Sequence, residues 1–334
     1  MEALLAFLDT PFLGKAAWLW IMFITIVIAL LAFDLGVLNK KDHEIEVKES
    51  LILSAFYIAI AVAFGSWVWW YLGPTSGMQY FTGFALEKAL AMDNVFVISL
   101  IFTYFAVPRI YQHRVLFWGI LGVILLRGIM IGLGAALVTQ WSWILYIFGV
   151  FLIATGIKML LMSGDDAPPN MGDNPLLKFL KKRMRVTDTL HGNAFFVKQP
   201  DTKTGRVVRW ATPLFLCLIL VEFADLIFAV DSVPAIFAIT TDPFIVYTSN
   251  IFAILGLRAL YFALAAMVHR FKYLKYALSI VLIFIGAKIF YNQIFGKMDP
   301  SISLGVTFSL LAAGVFYSLW KTRKGTETAV KPAE

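Results

Sequence analysis

Residues 221–234 read Val-Glu-Phe-Ala-Asp-Leu-Ile-Phe-Ala-Val-Asp-Ser-Val-Pro, three carboxylates inside an apolar run that extends from 211 to 239. A run of that length can cross the hydrocarbon core of a bilayer, where a charge at a helix centre costs roughly 2.5–3.5 kcal/mol unless it faces protein, water or an ion. The stretch therefore asks for a fold that buries Glu222, Asp225 and Asp231 against other helices within a membrane. Composition agrees: the 334 residues are 60% hydrophobic and 15% charged, against roughly 25% charged in soluble chains. An ordinary soluble enzyme is excluded, and so is a disordered chain, which needs low hydrophobicity and high charge.

Working outward, apolar windows of bilayer length fall at 17–38, 51–72, 79–106, 114–138, 141–162, 211–239, 244–268, 274–296 and 302–320. The expected fold is all-α, a polytopic membrane protein of about nine spans. Lys plus Arg outside those spans, with Arg114 and Lys275 counted into the adjoining loops, run 1, 3, 0, 2, 0, 9, 0, 3, 1 and 4 from the N-terminus. That alternation places the N-terminus outside and the C-terminus in the cytoplasm, because cytoplasmic loops retain basic residues. Trp18, Trp20, Trp67, Trp69, Trp70, Trp141 and Trp143 fall at the expected outer ends, as an interfacial aromatic belt requires. The net charge of +7 then reads as a topology signal and not as a nucleic-acid surface. Segment 163–209, with Lys178, Lys181, Lys182, Arg183 and Arg185, is expected as a basic cytoplasmic loop that meets anionic lipid.

Removing loop charges leaves Asp34, Glu87, Asp93, Glu222, Asp225 and Asp231 against Lys88, Arg127, Lys158, Arg258 and Lys288. Facing lipid, they would together cost on the order of 30 kcal/mol, so they must face one another, water or an ion. Lys158 and Lys288, near span ends, are expected to snorkel toward water. Asp34 reads either as part of an ion path or as an interface marker. The remaining acids lie on two spans, which points to one shared site. Glu87 and Asn94 are seven residues apart, as are Asp225 and Ser232, so each pair shares a helix face. Asp93 and Asp231 project about 100° away, so two facing helices or a locally unwound segment must bring these oxygens together. Pro234 favours unwinding, since it deprives the Val230 carbonyl of its helical donor.

The two acidic segments also align. Glu87-Lys-Ala-Leu-Ala-Met-Asp93-Asn94-Val95 matches Asp225-Leu-Ile-Phe-Ala-Val-Asp231-Ser232-Val233, Leu-Arg127 then matches Leu-Arg258, and Gly156-Ile-Lys158 matches Gly286-Ala-Lys288. A repeat of three spans must cross in opposite senses, the inverted repeat of secondary transporters. The expected organisation is two N-terminal spans (1–78), a first repeat (79–162), the basic loop (163–209), a second repeat (210–298), and a last span with a cytoplasmic tail (299–334).

Glu-Lys-Ala-Leu-Ala-Met-Asp-Asn-Val-Phe-Val at 87–97 and the 221–234 stretch resemble the paired signatures of the TerC/Alx family of integral membrane proteins, from Phe33-Asp34-Leu35 to the last span. The resemblance implies a multi-pass protein of the bacterial inner membrane. It also implies manganese export, with an association with tellurium resistance, and puts Glu87, Asp93, Asn94, Glu222, Asp225, Asp231 and Ser232 at the family's motif positions.

Carboxylates, an amide and a hydroxyl are hard donors that suit Mn2+, Mg2+ or Ca2+, not zinc or copper. Met92 is a candidate soft ligand favouring manganese, although core packing explains it equally well. His43, His113, His191 and His269 fall in cytoplasmic segments, and Cys217, the one cysteine, reads as a buried hydrophobe. With no phosphate-binding Gly-Lys-Ser/Thr loop, the expected activity is secondary transport and not enzymatic, and no cofactor is called for. Asp93, Asn94, Asp225, Asp231 and Ser232 would hold the exported cation, Glu87 and Glu222 would also take up protons, and Lys88, Arg127 and Arg258 would pair with the acids. The alternative is a membrane scaffold that docks a protein partner through 163–209.

Overall fold

The structure, a computed structural model, describes residues 8–34, 46–161, 174–200, 206–265 and 273–328; the side chains of Met92, Asp93, Arg258 and 323–328 lie outside that description, as do His43 and His269. A two-residue ribbon, β1 (Pro11–Phe12) and β2 (Lys15–Ala16), leads into helix α1 (Ala17–Phe33). Then follow α2 (Val47–Leu72), α3 (Pro74–Tyr104), α4 (Arg109–Gln140), α5 (Ile144–Leu161) and the short α6 (Pro175–Arg183). A hairpin of β3 (Phe196–Pro200) and β4 (Val207–Ala211) precedes α7 (Pro213–Phe237), α8 (Pro243–Ala265), α9 (Leu274–Ile294) and α10 (Pro300–Thr328). Helices α3, α6, α7, α8 and α10 all begin on proline, whose missing N–H is no loss in a first turn. Gly73, at φ +94°, takes the left-handed turn that reverses the chain between α2 and α3.

The fold is all-α and polytopic, and the described part of each expected span lies largely on one helix. Six of these, α2, α4, α5, α7, α9 and α10, are long and apolar enough to cross a membrane, and α8 makes a seventh if its 53° bend between Pro243–Leu257 and Ala259–Ala265 lies within one span. Helix α1 is apolar but only 17 residues long, and α3 carries Glu87, Lys88 and Asp93, so neither reaches that standard. Segment 163–209 is more than a loop. Its described part forms α6 and the hairpin, and Leu177 of α6 is 1% exposed in a core shared with Val107, Val115 and Leu214. At the opposite end, Lys15 pairs with Asp242 at 2.9 Å, Trp18 packs on Trp67 and Tyr71, and Ser301 donates to the Met78 sulfur. The N-terminal segment and the connections at 73–78, 240–243 and 297–301, all expected on the outer side, thus gather on one face.

The packing of α5 on α9 gives the repeat its geometry. A Cβ on Gly156 would lie 2.7 Å from the Ser279 carbonyl oxygen and 2.7 Å from Ile283 Cγ1, and one on Gly286 would lie 2.7 Å from the Gly149 carbonyl oxygen and 2.9 Å from Ile153 Cγ1. Gly156 and Gly286, Gly149 and Ser279, and Ile153 and Ile283 each differ by 130 positions, so the contact maps onto itself when the repeats are exchanged. Position numbers on α9 fall as those on α5 rise, so the helices are antiparallel. Two further contacts obey the same exchange. Helix α4 runs parallel to α7, with Gly119 by Val221 and Gly134 by Phe237, while α3 runs parallel to α8, with Gly83 by Ser249 and Lys88 bonded to the Ala253 carbonyl. Short turns reverse the chain from α3 to α4 and from α7 to α8, so α3 and α7 oppose each other. An inverted repeat is the arrangement observed.

Candidate functional site

Helices α3 and α7 pass through their acidic motifs as unbroken helix. The unwound segment expected at Asp231 is therefore not present, and Pro234 lies in the last turn of a continuous helix. Two facing helices bring the oxygens together instead, with α4 supplying the cation between them. The Arg127 side chain is 1% exposed. Its Nη1 pairs with Glu87 Oε1 and also donates to Ser232 Oγ at 3.0 Å and Asn250 Oδ1 at 3.1 Å. Its Nε and Nη2 donate to the two oxygens of Asp225 at 3.3 and 3.2 Å. Glu87 comes from the first repeat and Asp225 is its counterpart in the second, so the guanidinium bridges the two repeats. The fork of N–H donors suits this role, because five donors in one plane reach two carboxylates at once.

A cavity of about 290 Å³ opens beside this bridge, with Glu87, Asn94, Arg127, Asp231 and Ser232 in its wall. Lys158 stands at its edge, exposed, with Thr155 and Met159 beside it on α5. A smaller cavity of about 50 Å³ on the far side of Asp225 is lined by Ile98, Val123 and Tyr261 among others. Glu87, Asn94, Asp225, Asp231, Ser232 and Arg127, all singled out by sequence, thus meet at one place. Met92, Asp93 and Arg258 fall outside the described side chains.

Three expectations need correction. Glu222 stands apart from the large cavity, packed against α4, where a Cβ on Gly119 would lie 3.6 Å from its Oε1. Lys88 follows Glu87 in sequence but turns to α8, where its Nζ donates to the Ala253 carbonyl at 3.3 Å, because neighbouring helical positions diverge by about 100°. Lys288 does not snorkel: it is 6% exposed and donates to Ser303 of α10 at 3.0 Å. Cys217, at 0% exposure in an apolar cluster, is the buried hydrophobe expected.

Sequence reasoning missed Asn250, which is fully buried and accepts from Arg127. The polar triplet Thr248-Ser249-Asn250 inside an apolar span was the available signal. Among the described residues, Glu87 Oε2, Glu222 Oε2 and Asn250 Nδ2 are buried with no hydrogen-bond partner. Buried polar groups are almost always bonded, so the acidic centre holds capacity its own side chains leave unused. No group of three or more His, Cys, Asp or Glu among the described residues is already gathered as a metal cage; here the arginine occupies the space between the carboxylates.

The sequence profile of the integral membrane protein TerC family matches residues 72–326. A Myxococcus xanthus protein named "Uncharacterized membrane protein STKORF319" is 48% identical over 305 residues, covering 91% of this chain and 93% of that one. A Photorhabdus laumondii protein named "Putative membrane-bound redox modulator Alx" is 46% identical over 319 residues, covering 92% and 97%. An Escherichia coli K12 protein of the same name is 46% identical over 311 residues, covering 90% and 94%. No solved structure matches.

Proposed function

The chain belongs to the TerC family of integral membrane proteins, and from that premise we propose that it is a secondary transporter exporting a divalent metal cation, manganese foremost, from the cytoplasm in exchange for protons. The observation that carries this reading is the Arg127 bridge. One carboxylate from each inverted repeat converges on a single buried positive charge at the wall of a cavity, and in inverted-repeat transporters the substrate lies at that interface. The guanidinium takes the place of a cation, and the oxygens that hold it are the hard donors manganese, magnesium and calcium prefer. Asp231, Ser232 and Asn94 in the cavity wall extend the donor set, and Asp93 adds to it from the sequence motif. Carboxylates must lose their protons to bind metal, so cation and proton compete for one site.

The proposed orientation has nine crossings, the N-terminus outside and the C-terminus in the cytoplasm of a bacterial inner membrane. The charge alternation supports it. Lys178, Lys181, Lys182 and Arg183 on α6 would then face anionic lipid. A redox role, carried in the name of the Alx relatives, would act here without an internal thiol pair, since Cys217 is the one cysteine.

The test is cell manganese content under manganese load, with and without expression of the chain, for the native sequence and for Asp93→Asn and Asp231→Asn. Lower content with the native chain and loss of that effect in both variants is the expected result. Full activity in the variants, or unchanged content with the native chain, refutes the reading. Lys178, Lys181, Lys182 and Arg183 replaced together by Gln should leave export intact, whereas a scaffold working through this segment should fail.

A further inference from the structure

The two repeats match in sequence and in the α5–α9 contact, but they do not match in what surrounds them. On α5, Thr155, Lys158 and Met159 border the open cavity and Lys158 is exposed. Their counterparts 130 positions on are Ile285, Lys288 and Ile289 of α9, and these are 0%, 6% and 8% exposed. The cover is α10, which lies outside the repeat, and its Ser303 accepts the Lys288 hydrogen bond at 3.0 Å. One turn further along the same face, Thr307 is 0% exposed and its hydroxyl has no partner among the described residues. Among the described residues Ser303 is the hydrogen-bond acceptor of Lys288; a lysine buried within the membrane is costly, and intramembrane charges of this kind mark substrate paths.

We propose that Lys288 and Ser303 form the latch of a second access route, the symmetry counterpart of the open cavity, which α10 seals in this conformation. Helices α5 and α9 are antiparallel, and Thr155–Met159 and Ile285–Ile289 each lie in the C-terminal half of their helix. The two routes therefore open toward opposite faces of the membrane. In one state Lys158 is exposed at an open mouth while Lys288 is buried under α10. In the other, Lys288 leaves Ser303 and the α5 mouth closes. Exchange of conformation between inverted repeats around a fixed site is the general route to alternating access, and here the last helix supplies the asymmetry. This inference rests on the transport reading for its purpose, but its geometry can be tested apart from it.

The experiment uses the full chain with Cys217→Ala, carrying either Thr155→Cys or Ile285→Cys, in right-side-out and inverted membrane vesicles treated with a membrane-impermeant maleimide. Thr155→Cys should label from the face at which α5 ends. Ile285→Cys should label slowly from the opposite face. Adding Ser303→Ala should raise the Ile285→Cys rate about tenfold, the population shift that loss of one hydrogen bond to a charged group allows, and should lower the Thr155→Cys rate. Lys288→Met is the second latch variant and should act in the same direction.

Labelling of both cysteines from one face overturns the proposal. So does an Ile285→Cys rate that neither latch variant changes. Manganese flux is read in the same vesicles: reciprocal labelling without flux keeps the latch and removes the transport reading, whereas flux with unchanged Ile285→Cys labelling removes the latch alone.

Discussion

Replacing Arg127 by alanine should be among the most damaging single changes available to this fold. Arg127 makes four side-chain partnerships, with Glu87, Asp225, Ser232 and Asn250, from a position 1% exposed. Its loss strands two carboxylates, Glu87 at 1% and Asp225 at 15% side-chain exposure, and removing one partner of a buried ion pair costs about 3–5 kcal/mol. At about 2 °C per kcal/mol for a chain of this size, the melting temperature should fall by about 6–10 °C. Cys217, the one thiol and 0% exposed, is a built-in reporter, because a thiol-reactive fluorogenic dye in detergent reads its exposure as the helices separate. The triple change Arg127→Met, Glu87→Gln and Asp225→Asn removes charge on both sides and should recover most of the loss.

Manganese separates a binding site from a structural ion pair. In Arg127→Ala a divalent cation should take the vacated place and raise the melting temperature by about 5 °C at 100-fold excess over its dissociation constant, the equivalent of about 2.7 kcal/mol. In the native chain the same cation must first displace the arginine, so the increase should be smaller. A melting temperature for Arg127→Ala within about 2 °C of native would refute the energetic argument. Equal manganese shifts in both proteins would refute the idea that arginine and metal share one place.

Two shorter predictions follow from packing. Gly156→Ala and Gly286→Ala each place a Cβ 2.7 Å from a carbonyl oxygen of the facing helix, so both should lower stability by about 1–3 kcal/mol, and by similar amounts; a large difference in the same thermal assay would contradict the two-fold relation of α5 and α9. Ser50 donates to the Ala259 carbonyl and accepts from the Ala263 N–H at 3.1 Å, bridging two groups that would bond each other in a regular helix, so Ser50→Ala should cost about 1–2 kcal/mol, and an unchanged melting temperature would contradict that bridge.

The helices were legible because bilayer thickness imposes a length on each apolar run, and the repeat was legible because acid, arginine and lysine recur in the same order. Helical phase also told which side of α3 and α7 carries the site, since Glu87 and Asn94, and Asp225 and Ser232, do face the same centre. What the sequence could not convey was which neighbour covers which face. Lys158 and Lys288 are the same residue in the same repeat position, and only the docking of α10 makes one exposed and the other buried. Lys88 was misassigned for a related reason: adjacency to Glu87 in sequence implies divergence on a helix. The helix and hairpin within 174–211 were missed because short polar elements lack the long periodic signal that apolar spans give.

Charge balance at the bridge links the geometry to the proposed exchange. Ionised, Glu87 and Asp225 would together carry two negative charges against the one positive charge of Arg127. A divalent cation that displaced the arginine would neutralise the pair completely. With Arg127 back in place, one negative charge remains, and a single proton restores the balance. Glu87 Oε2, buried without a partner among the described residues, is the atom best placed to take it. On the proposed exchange the arginine would stand in for half of the departing metal charge, and the return step would need about one proton per cation instead of two. Proteoliposomes loaded with a pH-sensitive dye measure that ratio directly. A value near one in the native chain, rising toward two in Arg127→Ala, is expected if the arginine is a tethered counter-cation; a ratio near two in both means that Arg127 stays out of the transport cycle and that its bridge is structural alone.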